Sequence, residues 1–230
     1  MIKMKLNENI LNNSKWYIFP FFLLLLACPT EDNPPEPLPP GPEDYIQEGW
    51  ADLSAGSHED ALDNFDVALT VDPENIEATM GKAWSLLFLD GGNTLDLMKY
   101  LFEKGVSDST WSADAYCGLS IVAFSQGNYT TAITYADILL SADPIYVFEY
   151  FSEIDFHDIL LVKTQAQFLS QNYMDAYTTL SSISDDSLDP ANVESWEING
   201  ISYPSFESAL AALIASVTTE YDSGGFISYP

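Results

Sequence analysis

The sequence predicts an all-α fold: a helical solenoid of about four helix–turn–helix repeats, closed by a C-terminal capping helix. Three observations carry this. Ala61, Phe65, Ala68 and Pro73 are spaced by 4, 3 and 5 residues, and Ala132, Ala136, Leu139 and Pro144 repeat those spacings. Self-similarity of this kind is the mark of a repeat architecture. Both sets close on Asp-Pro and follow a glycine five residues upstream, Gly56 and Gly127. Each therefore reads as a helix with its own start and stop, with Ser57 or Asn128 placed to cap it. From residue 43 onward, strand-like alternation is scarce and helical periodicity prevails.

The physical logic is simple. Small alanine side chains let two helices approach closely, an aromatic ring fills the space beside them, and proline ends the second helix. On these residues the chain resembles the tetratricopeptide repeat, a helix–turn–helix unit with small and aromatic residues at these positions. The resemblance implies a right-handed solenoid. Repeat one spans about 42–75, with Gly49 at the small position of its first helix, and repeat two about 76–110, with Ala83 there. Repeat two lacks the terminal proline and carries extra residues near Gly91-Gly92-Asn93. Repeat three, about 113–146, matches best through Tyr116, Leu119, Ser120, Gly127, Tyr129 and Ala132. Repeat four, about 157–190, is degenerate, with Thr164, Asn172, Tyr173, Ala176, Leu180 and Ile183. Glu48, Lys82 and Lys163 stand where the pattern prefers leucine.

The repeat domain is thus read over 43–190, and residues 191–230 hold a loop, a capping helix and a tail. Residues 191–204 read as loop. Ser205 is placed to cap a last helix over 206–221, whose stripe is Phe206, Leu210, Leu213, Ile214 and Val217. A solenoid needs such a helix over the open face of its last repeat. The tail 224–230 reads as frayed.

The N-terminus reads as an address. Residues 1–15 are polar and contain Lys3, Lys5 and Lys15; residues 16–27 are a short apolar run. That run falls short of the roughly twenty residues a resident transmembrane helix needs. A charged segment followed by a short apolar one is a secretory signal, read here as 1–27. It ends Leu25-Leu26-Ala27-Cys28, which resembles the lipobox of bacterial lipoproteins. That resemblance implies a diacylglycerol on the Cys28 thiol and cleavage after Ala27. Residues 28–42 form a tether with seven prolines in 29–42. Proline lacks the N–H and restricts its predecessor, so the tether favours polyproline II and reaches on the order of 40 Å. Pro29, rather than Asp, follows the cysteine. The expected location is the cell envelope, at the outer membrane where the cell has one.

The formal net charge is −28, with 35 acids against seven lysines and no arginine. Beyond residue 27 the only lysines are Lys82, Lys99, Lys104 and Lys163, and every acid but Glu8 lies there. Such a surface repels phosphates, which excludes nucleic acid as a partner. Two readings of the acidity stay open: solubility in a salty environment, or attraction of a basic partner or divalent cations.

Catalytic residues are scarce, and the sequence predicts no enzyme, no cofactor and no metal site. His58 lies beside Glu59 and Asp60 and reads as a solvated surface residue; His157 reads as a first-turn residue, with a metal or acid–base role as the alternative. Cys117, with no histidine near it in sequence, reads as a small core filler. No phosphate loop, nucleophile elbow or zinc spacing is present. The loop Asp185-Asp186-Ser187-Leu188-Asp189 is oxygen-rich but lacks the glycine and distal glutamate of an EF-hand.

Two features point to binding. Trp50 and Trp84 are 34 residues apart, one repeat length. The resemblance implies that this position lines a concave groove, with Ile46, Leu53, Met80, Leu87, Phe88, Ile121 and Phe124 as companions, rimmed by Glu43, Glu77 and Asp114. The other reading makes the same apolar stripe core; both stay open here. The second feature is the aromatic insertion 145–156, read either as a first helix lengthened by about three turns or as a partner-binding element. The function expected is a non-catalytic scaffold that binds a peptide or protein segment, apolar with basic flanks. The alternative is a structural accessory lipoprotein of an outer-membrane assembly, secretion or pilus complex.

Overall fold

The computed structural model describes residues 40–90, 94–185 and 187–221. The signal segment, Cys28, most of the tether, Gly91-Gly92-Asn93 and the tail 224–230 lie outside them.

Four helix pairs follow one another: α1 (Pro42–Ser54) and α2 (His58–Val71), α3 (Ile76–Asp90) and α4 (Leu95–Gly105), α5 (Ser112–Ser125) and α6 (Tyr129–Ala142), α7 (Phe156–Leu169) and α8 (Tyr173–Leu180). Each helix packs on the next in sequence. The first helices α1, α3, α5 and α7 also pack on one another, so that one face of the stack is built from first helices alone. α9 (Phe206–Tyr221) closes the end against α7 and α8. This is an all-α, tetratricopeptide-like solenoid with a capping helix.

The turns inside the pairs explain the upstream glycines. Gly56 and Gly127 have φ of 79° and 72°, in the left-handed region that glycine enters without steric cost. Around them the Ser57 N–H donates to the Asp52 carbonyl and the Asn128 N–H to the Ala123 carbonyl, closing the helix that ends there. Gln171, at φ 64°, takes the glycine position in the fourth pair, with the same bond from the Asn172 N–H to the Gln167 carbonyl. That substitution is one reason the fourth repeat reads as degenerate. Ser57 and Asn128 do stand at the N-caps of α2 and α6, but neither side chain makes a capping hydrogen bond. Asp72-Pro73 and Asp143-Pro144 lie just past the ends of α2 and α6, as the proline rule requires.

Ala61, Ala68, Ala132 and Ala136 are fully buried at helix contacts. The Phe65 ring, also fully buried, sits against two glycines: a Cβ on Gly49 would stand 2.8 Å from its Cζ, and one on Gly81 would overlap the ring. Phe102 stands against Gly118 in the same way. Met98, Phe102 and Gly105 thus repeat the spacing of Ala61, Phe65 and Ala68, displaced by the extra residues near Gly91. Gly81→Ala is expected to destabilise by ~1–3 kcal/mol through overpacking, although alanine is the better helix former. A denaturant midpoint at or above the wild-type value would count against this close approach.

Two of the misplaced polar residues find a role. Lys82 of α3 pairs with Asp66 of α2, and Lys163 of α7 pairs with Asp137 of α6. Both reach back to the second helix of the preceding pair. Their half-exposed carboxylate partners keep each contribution to ~1 kcal/mol or less.

α9 begins and ends where its periodicity predicts, and all five stripe residues are buried. The Ser205 Oγ accepts from the Ser208 N–H at 3.2 Å, and the Ser208 Oγ from the Ser205 N–H at 3.1 Å. The stretch expected as loop contains a short hairpin, β1 (Glu197–Ile198) and β2 (Ile201–Ser202). Its two-residue turn, Asn199-Gly200, has φ of 51° and 78°, the combination that Asn-Gly supplies.

Candidate ligand cleft on the first-helix face

The insertion after α6 is not a helix extension. Asp155 caps α7: its Oδ1 accepts from the His157 N–H at 2.8 Å, while the Asp158 Oδ2 accepts from the Asp155 N–H at 2.8 Å. This capping box starts the helix at Phe156 and leaves 145–155 outside it. Over 145–149 exposure alternates. Tyr146 and Phe148 are buried, whereas Ile145 and Val147 are 75% and 52% exposed. The segment doubles back on itself: the Phe148 N–H donates to the Ile154 carbonyl (2.9 Å) and the Phe156 N–H to the Tyr146 carbonyl (2.8 Å). It forms a strap.

The strap lies on the first-helix face, over the aromatic positions read as a groove. The Phe148 ring stacks on Trp84 at 4.5 Å and meets Trp50 edge-on at 6.0 Å. Tyr150 stacks on Trp50 at 3.9 Å, and Phe151 meets Phe88 at 5.2 Å. The Ser54 Oγ donates to the Tyr150 carbonyl at 2.9 Å, and the Tyr146 hydroxyl to the Asp114 Oδ1 at 2.6 Å. The strap therefore joins side chains of α1, α3 and α5. Of the groove candidates, Ile46, Trp50, Leu53, Met80, Trp84 and Ile121 are buried, and Leu87, Phe88 and Phe124 are half-buried. Alternating aromatics in a β-branched run after Pro144 were the signal for an extended segment.

One part of this face stays open. A cleft of about 650 Å³ is bounded by Glu43, Ile46, Gln47 and Trp50 of α1, Glu77 of α3, and Tyr150 of the strap. The Trp50 Nε1 donates to the Glu77 Oε1 at 3.1 Å, which orients that carboxylate. Burial, together with the charge of Glu77, pushes the Tyr150 hydroxyl up to about 12, so it stays protonated. The cleft thus offers apolar walls, the oriented Glu77 carboxylate, the exposed Glu43 carboxylate at its rim and no lining cation.

Beneath the strap, Asp114 is pushed up to about 6, chiefly by burial; the Tyr146 hydrogen bond partly offsets this and the charge of Glu149 adds to it. A carboxyl whose folded pKa is raised binds its proton more readily folded than unfolded. Stability from this group is therefore present at pH below about 4 and lost as pH rises through about 6. Acid also relieves the repulsion of the whole acidic surface, so the decisive comparison is with Asp114→Asn, which keeps an oxygen for the Tyr146 hydroxyl. The variant is expected to unfold less readily than wild type at pH 7, by on the order of 2–3 kcal/mol, and to match it near pH 4. Parallel denaturation curves at every pH would refute the assignment.

The remaining chemistry-bearing residues are placed as follows. Cys117 is fully buried and its thiol is pushed well up, first by burial and then by the Asp114 charge, the opposite of an activated nucleophile. His157 Nδ1 lies 3.1 Å from Asp155 Oδ1 in the first turn of α7, and its ring stacks on Tyr221. His58 departs from expectation: it is half-buried, stacked on Phe88 at 4.7 Å, and burial lowers its pKa. Among the described residues no three His, Cys, Asp or Glu side chains converge as a metal site, and no helix is long and apolar enough to cross a membrane. No protein-family model matches the chain, and no curated protein is significantly similar to it. Among solved structures, the chain is similar to that of Pseudomonas aeruginosa pilF at 14% identity, over 80% of this chain and 94% of that one, with a TM-score of 0.43.

Proposed function

We propose that this chain is a non-catalytic scaffold of the bacterial cell envelope, anchored by a lipid on Cys28, that holds a segment of a partner protein on its first-helix face. The observation that carries this reading is the open cleft between α1, α3 and Tyr150, walled by aromatic rings and rimmed by carboxylates. Pockets of a few hundred Å³ with an apolar lining and a few fixed polar groups are the usual form of a binding site. The charge balance favours a partner that is apolar with basic flanks and disfavours nucleic acid. Trp50 and Trp84 contribute from below the strap, by holding Tyr150 and Phe148 in place.

A second reading, a permanent accessory of an outer-membrane assembly, secretion or pilus complex, is favoured by apolar side chains left exposed on second helices: Val71 of α2, Tyr100 of α4 and Ile138 of α6. A photo-crosslinking residue at Gln47, in the full chain in cells, should give a discrete protein adduct, whereas one at Val71 or Tyr100 should not. Adducts only from the outer positions would transfer support to the second reading, and none from any position would overturn both. The anchor is tested separately: Cys28→Ser should abolish the mass increase of lipidation and partitioning into detergent, and retention of both would refute it.

A further inference from the structure

We propose that the cleft between α1, α3 and Tyr150 is a receptor for one cationic side chain, the ammonium of lysine or the guanidinium of arginine, carried by an apolar partner segment. This rests on the reading of the first-helix face as a binding surface and names what that surface recognises.

The walls and the rim divide the task. Ile46, Trp50 and the Tyr150 ring give the cleft an apolar wall suited to the methylene stem of a long basic side chain. Glu43 and Glu77 place two carboxylates on the same cleft, and the negative field there favours a cation. The Glu77 carboxylate is already oriented by the Trp50 indole N–H at 3.1 Å and by a hydrogen bond with the Tyr150 hydroxyl, and a carboxylate, with about four lone-pair sites, keeps room for a further donor. An aromatic ring beside it adds attraction for a cation over that for a neutral group of the same shape. A carboxylate ligand would meet two like charges here, and a purely apolar one would strip water from Glu43 and Glu77 without replacing it.

Nothing among the described residues fills this role from within. Lys82, Lys99 and Lys163 are paired with Asp66, Glu103 and Asp137, and Lys104 lies over the Tyr100 ring. Among the described residues the charge complement is left to a partner.

The test uses the full chain labelled with ¹⁵N in its tryptophan indoles and two neutral-ended tripeptide probes, acetyl-Leu-Lys-Leu-amide and acetyl-Leu-norleucine-Leu-amide. The Trp50 indole signal reports directly, because its N–H is held by Glu77. The lysine probe should displace that signal saturably and the norleucine probe should not. Glu77→Gln, which keeps an oxygen for the indole, should weaken the lysine probe by about fivefold, as should Glu43→Gln. Glu59→Gln, on the exposed start of α2, should leave it unchanged. Equal binding of both probes would preserve the binding surface and overturn the cation receptor. Displacement of other tryptophan signals but not that of Trp50 would also overturn it. Failure of both probes to move any signal would overturn the receptor and count against the surface as well.

Discussion

Trp84→Ala should lower stability by ~3–5 kcal/mol, as deletion of a core aromatic does. The Trp84 side chain is 0% exposed and is enclosed by Phe102, Phe88 and Phe148, three rings from three different segments. Removing it leaves a cavity that the glycine-lined contacts around it cannot collapse into, since Phe102 is already wedged against Gly118. Urea denaturation, monitored by helical circular dichroism, measures the loss. A loss under about 1 kcal/mol, combined with weaker partner binding, would instead make Trp84 an accessible anchor, and the strap would then have to lift away in solution.

Phe148→Ala should be comparably damaging, by ~3–5 kcal/mol. Its ring is 0% exposed, stacked on Trp84 and edge-on to Trp50. The strap's backbone–backbone hydrogen bonds run within itself and to the start of α7, so its hold on α1, α3 and α5 comes from inward side chains and the Ser54 bond to the Tyr150 carbonyl. Val147→Ala, one residue away and facing outward, should change stability by about 0.5 kcal/mol or less. The double variant Trp84→Ala with Phe148→Ala should cost less than the sum of the two, because the rings share one contact. If Phe148→Ala and Val147→Ala have the same midpoint, the strap is not part of the folded core.

The repeat architecture was legible because its determinants are local and periodic. The 4-3-5 spacing, the left-handed glycines and the prolines act within one helix pair, so a pattern in sequence maps directly onto a contact. The capping helix was legible for the same reason: one amphipathic stripe and one serine set its bounds. The second repeat was blurred only because extra residues near Gly91 shifted Met98, Phe102 and Gly105 out of frame, and the fourth because Gln171 occupies a glycine's place.

What lies on the first-helix face was not legible. Trp50 and Trp84 sit one repeat apart on an apolar stripe, and such a stripe looks the same whether it faces a partner, water or the chain itself. The choice was made by residues 32 to 96 positions downstream of their partners in the sequence, through contacts that no local period encodes. Ser54 meets Tyr150, Trp84 meets Phe148, and Asp114 meets Tyr146. By sequence alone the insertion reads as a lengthened helix or a partner-binding element; the capping box at Asp155 and Asp158 starts α7 at Phe156 and rules out the first, and where the insertion goes depended on shape and burial. By itself, the sequence determined helices, turns, charge and the order of the stack. The tertiary structure decided that the chain covers much of its own aromatic face and leaves an acidic cleft open beside Tyr150, because burying aromatic surface against aromatic surface outweighs leaving it in water.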